Sequence, residues 1–250
     1  MRYAVWLNGL SLADIDRQIY ITDIAYTPQQ LRYTTNKLMG RDGQYSGKDS
    51  LESNAVTVTF MLRQYDTARR QSVLQDIVKW AVGGGVLTTS DRPGQQLRVK
   101  TTRLPGITSV MRWTDTLTLE FTAYDMPYWQ DIAPQTAQAE YQQDGQLYCP
   151  GVRPAFVEAT VTTDAALAEI TLTCGDTHIT LEGLTLAQGA TVTVSYTADH
   201  NLLQITSGGQ SLLAYRTEDS DDDLIAAPGM NTVSVSASIT ATFSVKGVWV

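Results

Sequence analysis

The sequence predicts a mainly β protein in two parts: an N-terminal β-sandwich-like domain with one packed α-helix, followed by a second β-sandwich domain. Three observations predict it. Residues 116–130, TLTLEFTAYDMPYWQ, alternate with period two: Leu117, Leu119, Phe121 and Ala123 face one way, and Thr118, Glu120, Thr122 and Tyr124 the other, as a half-buried strand requires. A single amphipathic helix is visible at 66–82, where Val73, Leu74, Ile77, Val78 and Ala81 fall on one stripe. Beyond residue 154, short strand patterns recur between the turn signals CGD, QG, DHN, SGG and PGMN, the spacing of a sandwich.

From the N-terminus, MRYAVWLNGLSLADIDRQ is interrupted by Asn8, Asp14 and Asp16, so it lacks the apolar core of a signal peptide. No other stretch approaches the roughly 20 apolar residues of a membrane span, and a soluble chain with no membrane partner is expected. Residues 33–53, YTTNKLMGRDGQYSGKDSLES, are rich in Gly, charge and hydroxyls and sustain neither period. Loops longer than roughly 12–15 residues in compact domains tend to be functional or disordered. The segment is therefore the candidate projecting contact arm, with Gly40, Arg41, Asp42, Gly43 and Tyr45 as its contact residues. Its composition fits a merely flexible loop equally well.

A strand at 55–62 precedes the helix, which Asp66 or Thr67 can cap and which Gly83, Gly84 and Gly85 can end, with Lys79 placed favourably near that end. A strand at 96–102 follows. The strand at 116–123 then runs into Asp125, Met126 and Pro127; proline fixes its own backbone and pushes Met126 out of helical space. The strand ends there, presenting Tyr128 and Trp129 just beyond it. Asp125, Pro127, Tyr128 and Trp129 are thus the candidate domain-junction residues, with Trp129 buried in the corner. The expected division is 1–133 for the first domain, a Gln-rich linker or exposed hairpin at 134–150, and 151–250 for the second domain, with strands at 157–163, 169–174, 178–181, 191–196, 202–206, 210–216, 232–238 and 240–245.

Helix, Gly run, Asp-x-Pro-Gly turn (Asp91 to Gly94), strand, then Phe-x-Ala-x-Asp-x-Pro-Tyr (Phe121 to Tyr128) follow one another in an order and spacing that resembles the distal tail proteins of long-tailed siphophages. The resemblance is densest from residue 66 to 130 and runs on more loosely through 199–231. It implies a virion structural protein of a phage or prophage tail tip. In such proteins the N-terminal domain builds a homohexameric ring placed between the tail tube and the tip, and the second domain is a galectin-like jelly roll that projects outward. The partners implied are further copies of this chain, the major tail tube protein, a tail-tip or tail-associated lysin protein, and receptor-binding or adhesion proteins, assembled in host cytoplasm. A carbohydrate-binding β-sandwich module is the alternative.

Charge and chemistry narrow the choice. A net charge of -8 and a pI near 4.7 argue against nucleic-acid recognition, which relies on clustered Lys and Arg. Cys149 and Cys174 stand without a Cys/His partner set, so no metal site or disulfide framework is indicated. His178 and His200 have no Gly-x-Ser-x-Gly elbow or metal-spaced partner near them, and no enzyme and no cofactor are expected. The acidic run at 218–223, EDSDDD, lacks the mid-loop glycine and closing glutamate of an EF-hand, and reads as a solvated loop. Galectins grip sugar with a His-Asn-Pro-Arg strand and a Trp-Gly-x-Glu segment. Here His200 and Asn201 are followed by Leu202 and Leu203, and Trp249 by Val250, so that sugar site is not carried over.

Overall fold

A computed structural model describes residues 3–27, 31–37, 44–51, 53–106, 114–124, 126–197 and 201–250, with the backbone alone for 31–37, 44–51 and 114–115. The chain divides into two compact units, Met1–Trp129 and Gln130–Trp249.

The first unit runs β1 (Val5–Leu7), β2 (Leu10–Ser11), α1 (Leu12–Ile15), β3 (Ile19–Tyr26), β4 (Leu31–Lys37), β5 (Gln44–Leu51), β6 (Asn54–Arg63), α2 (Thr67–Ala81), β7 (Gly85–Thr89), β8 (Gln95–Arg103) and β9 (Thr114–Ala123). Its main sheet has the order β2-β1-β7-β8-β9-β6-β3. The core begins where the alternation is sharpest. On β6, residues Val56, Val58, Phe60 and Leu62 are buried while their neighbours stand outward. Val56 lies opposite Phe121, Val58 opposite Leu119 and Phe60 opposite Leu117 on β9, so each rung stacks two apolar side chains on one face.

Helix α2 covers that face. The Asp66 carboxylate accepts from the Ala68 amide, capping the first turn, and Val73, Leu74, Ile77 and Ala81 are buried. Trp80, at the helix end, meets the Phe121 ring edge to face at 6.2 Å and donates from Nε1 to the Leu10 carbonyl at 2.9 Å. The glycines after the helix have distinct jobs. Gly83 and Gly84 hold φ of +87° and +71°, and a Cβ on Gly84 would collide with the Val99 carbonyl of β8. Only a bare α-carbon allows the helix end to sit that close to the strand.

Across the expected loop, the described residues 31–37 and 44–51 are strands. The backbones of β4 and β5 pair antiparallel, Leu31 opposite Leu51 and Lys37 opposite Gln44, as a two-stranded sheet. Both strands mix charged, hydroxyl and apolar residues without alternation, and each has the other as its strand partner.

The second unit contains β10 (Trp129–Asp131) from Gln130 on, β11 (Gln135–Glu140), β12 (Gly145–Cys149), β13 (Ala155–Thr163), β14 (Leu167–Cys174), β15 (Thr177–Leu186), β16 (Thr191–Tyr196), β17 (Leu203–Ser207), β18 (Gln210–Ser211), β19 (Ile225–Ala226), β20 (Gly229–Val235), β21 (Ile239–Val245) and β22 (Val248–Trp249). One sheet has the order β11-β21-β13-β16-β17-β18, the other β12-β20-β14-β15. Val157, Ala159, Val161, Val192, Val194, Ala241 and Phe243 from the first, and Leu147, Cys149, Ile170, Leu172, Cys174, Ile179 and Val233 from the second, are all buried, the two inner faces of a β-sandwich. The protein is thus mainly β throughout, as the sequence predicts.

Two expectations shift here. Residues 134–150 are not a linker: β11 and β12 contribute Ala139, Leu147 and Cys149 to the core, and β11 pairs along its whole length with β21, from Gln135 opposite Val245 to Glu140 opposite Thr240. Their inward residues are small or widely spaced among glutamines, so the alternation is muted. The expected strand at 210–216 is only β18, followed by a 3-10 turn at Leu213–Tyr215.

Candidate interaction surfaces

The hairpin leaves and re-enters the first unit at one rung. Tyr26, the last residue of β3, pairs with Val56 near the start of β6, and the Thr27 amide donates to the Ala55 carbonyl at 2.9 Å. Residues 27–53 are therefore an excursion whose two ends are held together. Gly40, Arg41, Asp42 and Gly43 lie outside the described residues, and Tyr45 stands on β5 opposite Asn36.

At the base of this excursion the Tyr26 side chain is fixed from three sides. Its hydroxyl donates to Asp91 Oδ2 at 2.6 Å and lies 3.1 Å from Thr89 Oγ1. Burial, reinforced by the Asp91 hydrogen bond, holds its phenol well above the usual tyrosine range. The Arg92 guanidinium sits 4.9 Å over its ring, and the Trp129 ring meets it edge to face at 5.7 Å. The same guanidinium lies 5.0 Å from the Trp129 ring centre. Arg92 thus serves both aromatics at once.

Of the expected junction residues, Trp129 is fully buried, Met126, Pro127 and Tyr128 are half-buried, and Asp125 lies outside the described residues. Two polar atoms at this end of the sheet are buried without a hydrogen-bond partner: Trp129 Nε1 and Oδ1 of Asn54, the first residue of β6. Tyr26, Asp91 and Arg92 were not singled out from the sequence. The Asp-x-Pro-Gly turn was visible, but Tyr26 and Asp91 are 65 residues apart, and no local pattern joins them.

In the second unit the acidic run is a strap on the edge strand β15. The Thr217 amide donates to the Thr180 carbonyl and the Asp221 amide to the His178 carbonyl. Ser220 Oγ and Asp221 Oδ2 accept from the amides of Thr180 and His178 at 2.9 and 2.7 Å. Asp222 pairs with Arg216 at 3.1 Å, and the His178 ring lies 3.3 Å from Asp221. The Asp221 carboxylate thus helps close the open edge of β15, and among the described residues no group of three or more His, Cys, Asp or Glu could hold a metal ion. His200 lies outside the described residues. Trp249 donates from Nε1 to Asp131 Oδ1 at 2.9 Å, a structural tie. Both cysteines are free and buried, and burial pushes the Cys174 thiol from 9.0 up to about 11, which makes it a poor nucleophile. Among the described residues no helix is long and apolar enough to cross a membrane.

Charge divides with the units. Residues 1–129 carry 15 Lys and Arg against 12 Asp and Glu, a net +3, whereas residues 130–250 carry 3 against 14, a net -11. On the outer face of the β12-β20-β14-β15 sheet the exposed Glu169 and Glu182 lie directly opposite each other, and the exposed Tyr148 lies opposite Met230.

No family model matches the chain, and no curated protein matches it. Solved structures do. The crystal structure of the SPP1 Dit protein, described as a paradigm of the hub adsorption apparatus in phages infecting Gram-positive bacteria, is similar with a TM-score of 0.78 at 13% identity, over 98% of this chain and 99% of that one. Two structures of the phage P2 baseplate in its activated conformation, with Ca and with Sr, are similar with TM-scores of 0.55 and 0.54 at 10% identity, over 98% of this chain and 97% of theirs. Across its whole length, then, this chain has the fold of the SPP1 Dit protein.

Proposed function

We propose that the chain is a structural component of the distal tail or baseplate hub of a siphophage or prophage, a ring that joins the tail tube to tip and receptor-binding proteins. The observation that carries this reading is the whole-length likeness to the SPP1 Dit protein, which extends over both units. In this reading copies of the first unit close the ring, six of them as in the siphophage distal tail proteins. The second unit, galectin-like in the same reading, offers its outer surface to adhesion proteins. Sandwich units suit such work, since one heterologous contact repeated around an axis closes a ring without any further device. Gly40, Arg41, Asp42, Gly43 and Tyr45 are the proposed contacts, and the segment from Asp125 to Trp129 the proposed junction. The reading assigns no enzymatic step, cofactor or nucleic-acid recognition to the chain.

Native mass spectrometry of the full chain over a range of concentrations tests it. A closed oligomer, six-fold in the sharpest form of the proposal, is expected, and deleting residues 40–47 should lower its formation while leaving the thermal midpoint unchanged. A monomer at every concentration, alone and with a tail tube protein, would overturn the reading.

A further inference from the structure

We infer that Arg92 is the positioning residue that sets the angle at which the hairpin β4–β5 leaves the first unit; the inference rests on the ring reading, in which that hairpin makes subunit contacts. An isolated two-stranded ribbon is marginally stable and free to swing. In the main sheet the last β3–β6 rung before it is Tyr26 opposite Val56, with the Thr27 to Ala55 bond beyond. Tyr26, the last residue of β3, is held at its hydroxyl by Thr89 and Asp91 and at its ring by Arg92 and Trp129, and this fixed end of β3 is what the ribbon can take its direction from.

The clamp comes from a segment that is itself rigid. Between β7 and β8 the Arg92 amide donates to the Thr89 carbonyl and the Gln95 amide to the Arg92 carbonyl, both at 3.3 Å, and Gly94 takes a φ of +83°. This tight turn puts Asp91 on the Tyr26 hydroxyl and the Arg92 guanidinium against the Tyr26 and Trp129 rings. Three segments distant in sequence, at residues 26, 91–92 and 129, meet in one cation and aromatic stack. Trp129 is fully buried and leaves its Nε1 unpartnered. Such a ring is placed for its faces and edges and not for a hydrogen bond. A planar guanidinium can lie against two rings, whereas an ammonium is a point charge that cannot stack.

The test uses the full chain as wild type, Arg92→Ala and Arg92→Lys, with amide hydrogen exchange and native mass spectrometry run on the same samples. Arg92→Ala is expected to speed exchange across 31–37 and 44–51 while leaving β6 and β9 protected, and to weaken self-association by about tenfold. Arg92→Lys should restore the exchange pattern and the association only in part. Unchanged exchange at 31–51 in Arg92→Ala overturns the inference. So does a general loss of protection that includes β6 and β9, because Arg92 would then support the whole unit and not the hairpin. If the wild type never associates, the ring reading fails by itself, and the exchange profiles still decide whether Arg92 positions the hairpin.

Discussion

Trp129 combines a favourable and an unfavourable position in one side chain. Its ring is fully buried against Tyr26 and Arg92, and deleting such a ring typically costs about 3–5 kcal/mol. Its indole N–H is buried without an acceptor, which costs about 1–3 kcal/mol. The two effects separate by substitution. Trp129→Ala is expected to lower unfolding free energy by about 3–5 kcal/mol, whereas Trp129→Phe, which keeps an aromatic ring and removes the orphaned donor, should cost much less; chemical denaturation of both variants measures the difference. An equal loss in both would mean that the indole N–H has a partner in solution. The position was legible in the sequence, because Met126 and Pro127 stop a strand whose inner face is unmistakable. Its neighbours were not, since the cation and the phenol that complete the stack arrive from 37 and 103 residues away.

Among the elements, those that the sequence revealed are the ones with strong contrast between faces. β6 and β9 alternate buried apolar residues with mostly half-buried ones, α2 buries Val73, Leu74, Ile77 and Ala81 on one stripe, and the helix's cap and glycines sit where its ends require them. Gly84 is the sharpest case. Gly84→Ala forces a Cβ into the Val99 carbonyl and a side-chain residue into positive φ, so it should destabilise the protein by more than the ~1 kcal/mol of an ordinary glycine substitution. Gly83→Ala, with a similar φ and open space around it, carries the φ cost alone, so the difference between the two variants in thermal melts isolates the collision. Elements of low contrast stayed hidden. β11 buries an alanine among glutamines, and β4 and β5 mix charged, hydroxyl and apolar residues without alternation, so periodicity carries no signal in either place. The four-residue helix α1, whose Ser11 cap accepts from the Ala13 amide, is too short to show a period at all.

For the whole molecule, net charge hides a division between a mildly basic first unit and a strongly acidic second one. Self-repulsion within a unit of net -11 weakens its compact state, and raising ionic strength from ~0.01 M to ~0.15 M shortens the screening length from ~30 to ~8 Å. The urea midpoint of the acidic unit should therefore rise over that salt range. Glu182→Lys, which converts the facing pair Glu169 and Glu182 into an opposite pair worth about 0.2–1 kcal/mol, should raise the low-salt midpoint and flatten the salt dependence. A midpoint indifferent to salt in both proteins would show that the carboxylates are already neutralised locally.

The excursion between Tyr26 and Val56 bears on how such a protein can change over time. Because the chain departs and returns at a single rung, the span that any replacement must bridge is the width of one strand pair, whatever its length. Doubling the number of residues in a flexible closure costs only about 0.6 kcal/mol. Insertions, deletions and wholesale exchange between residues 27 and 53 can thus be tried by selection almost independently of the core, which makes the segment a natural splice port.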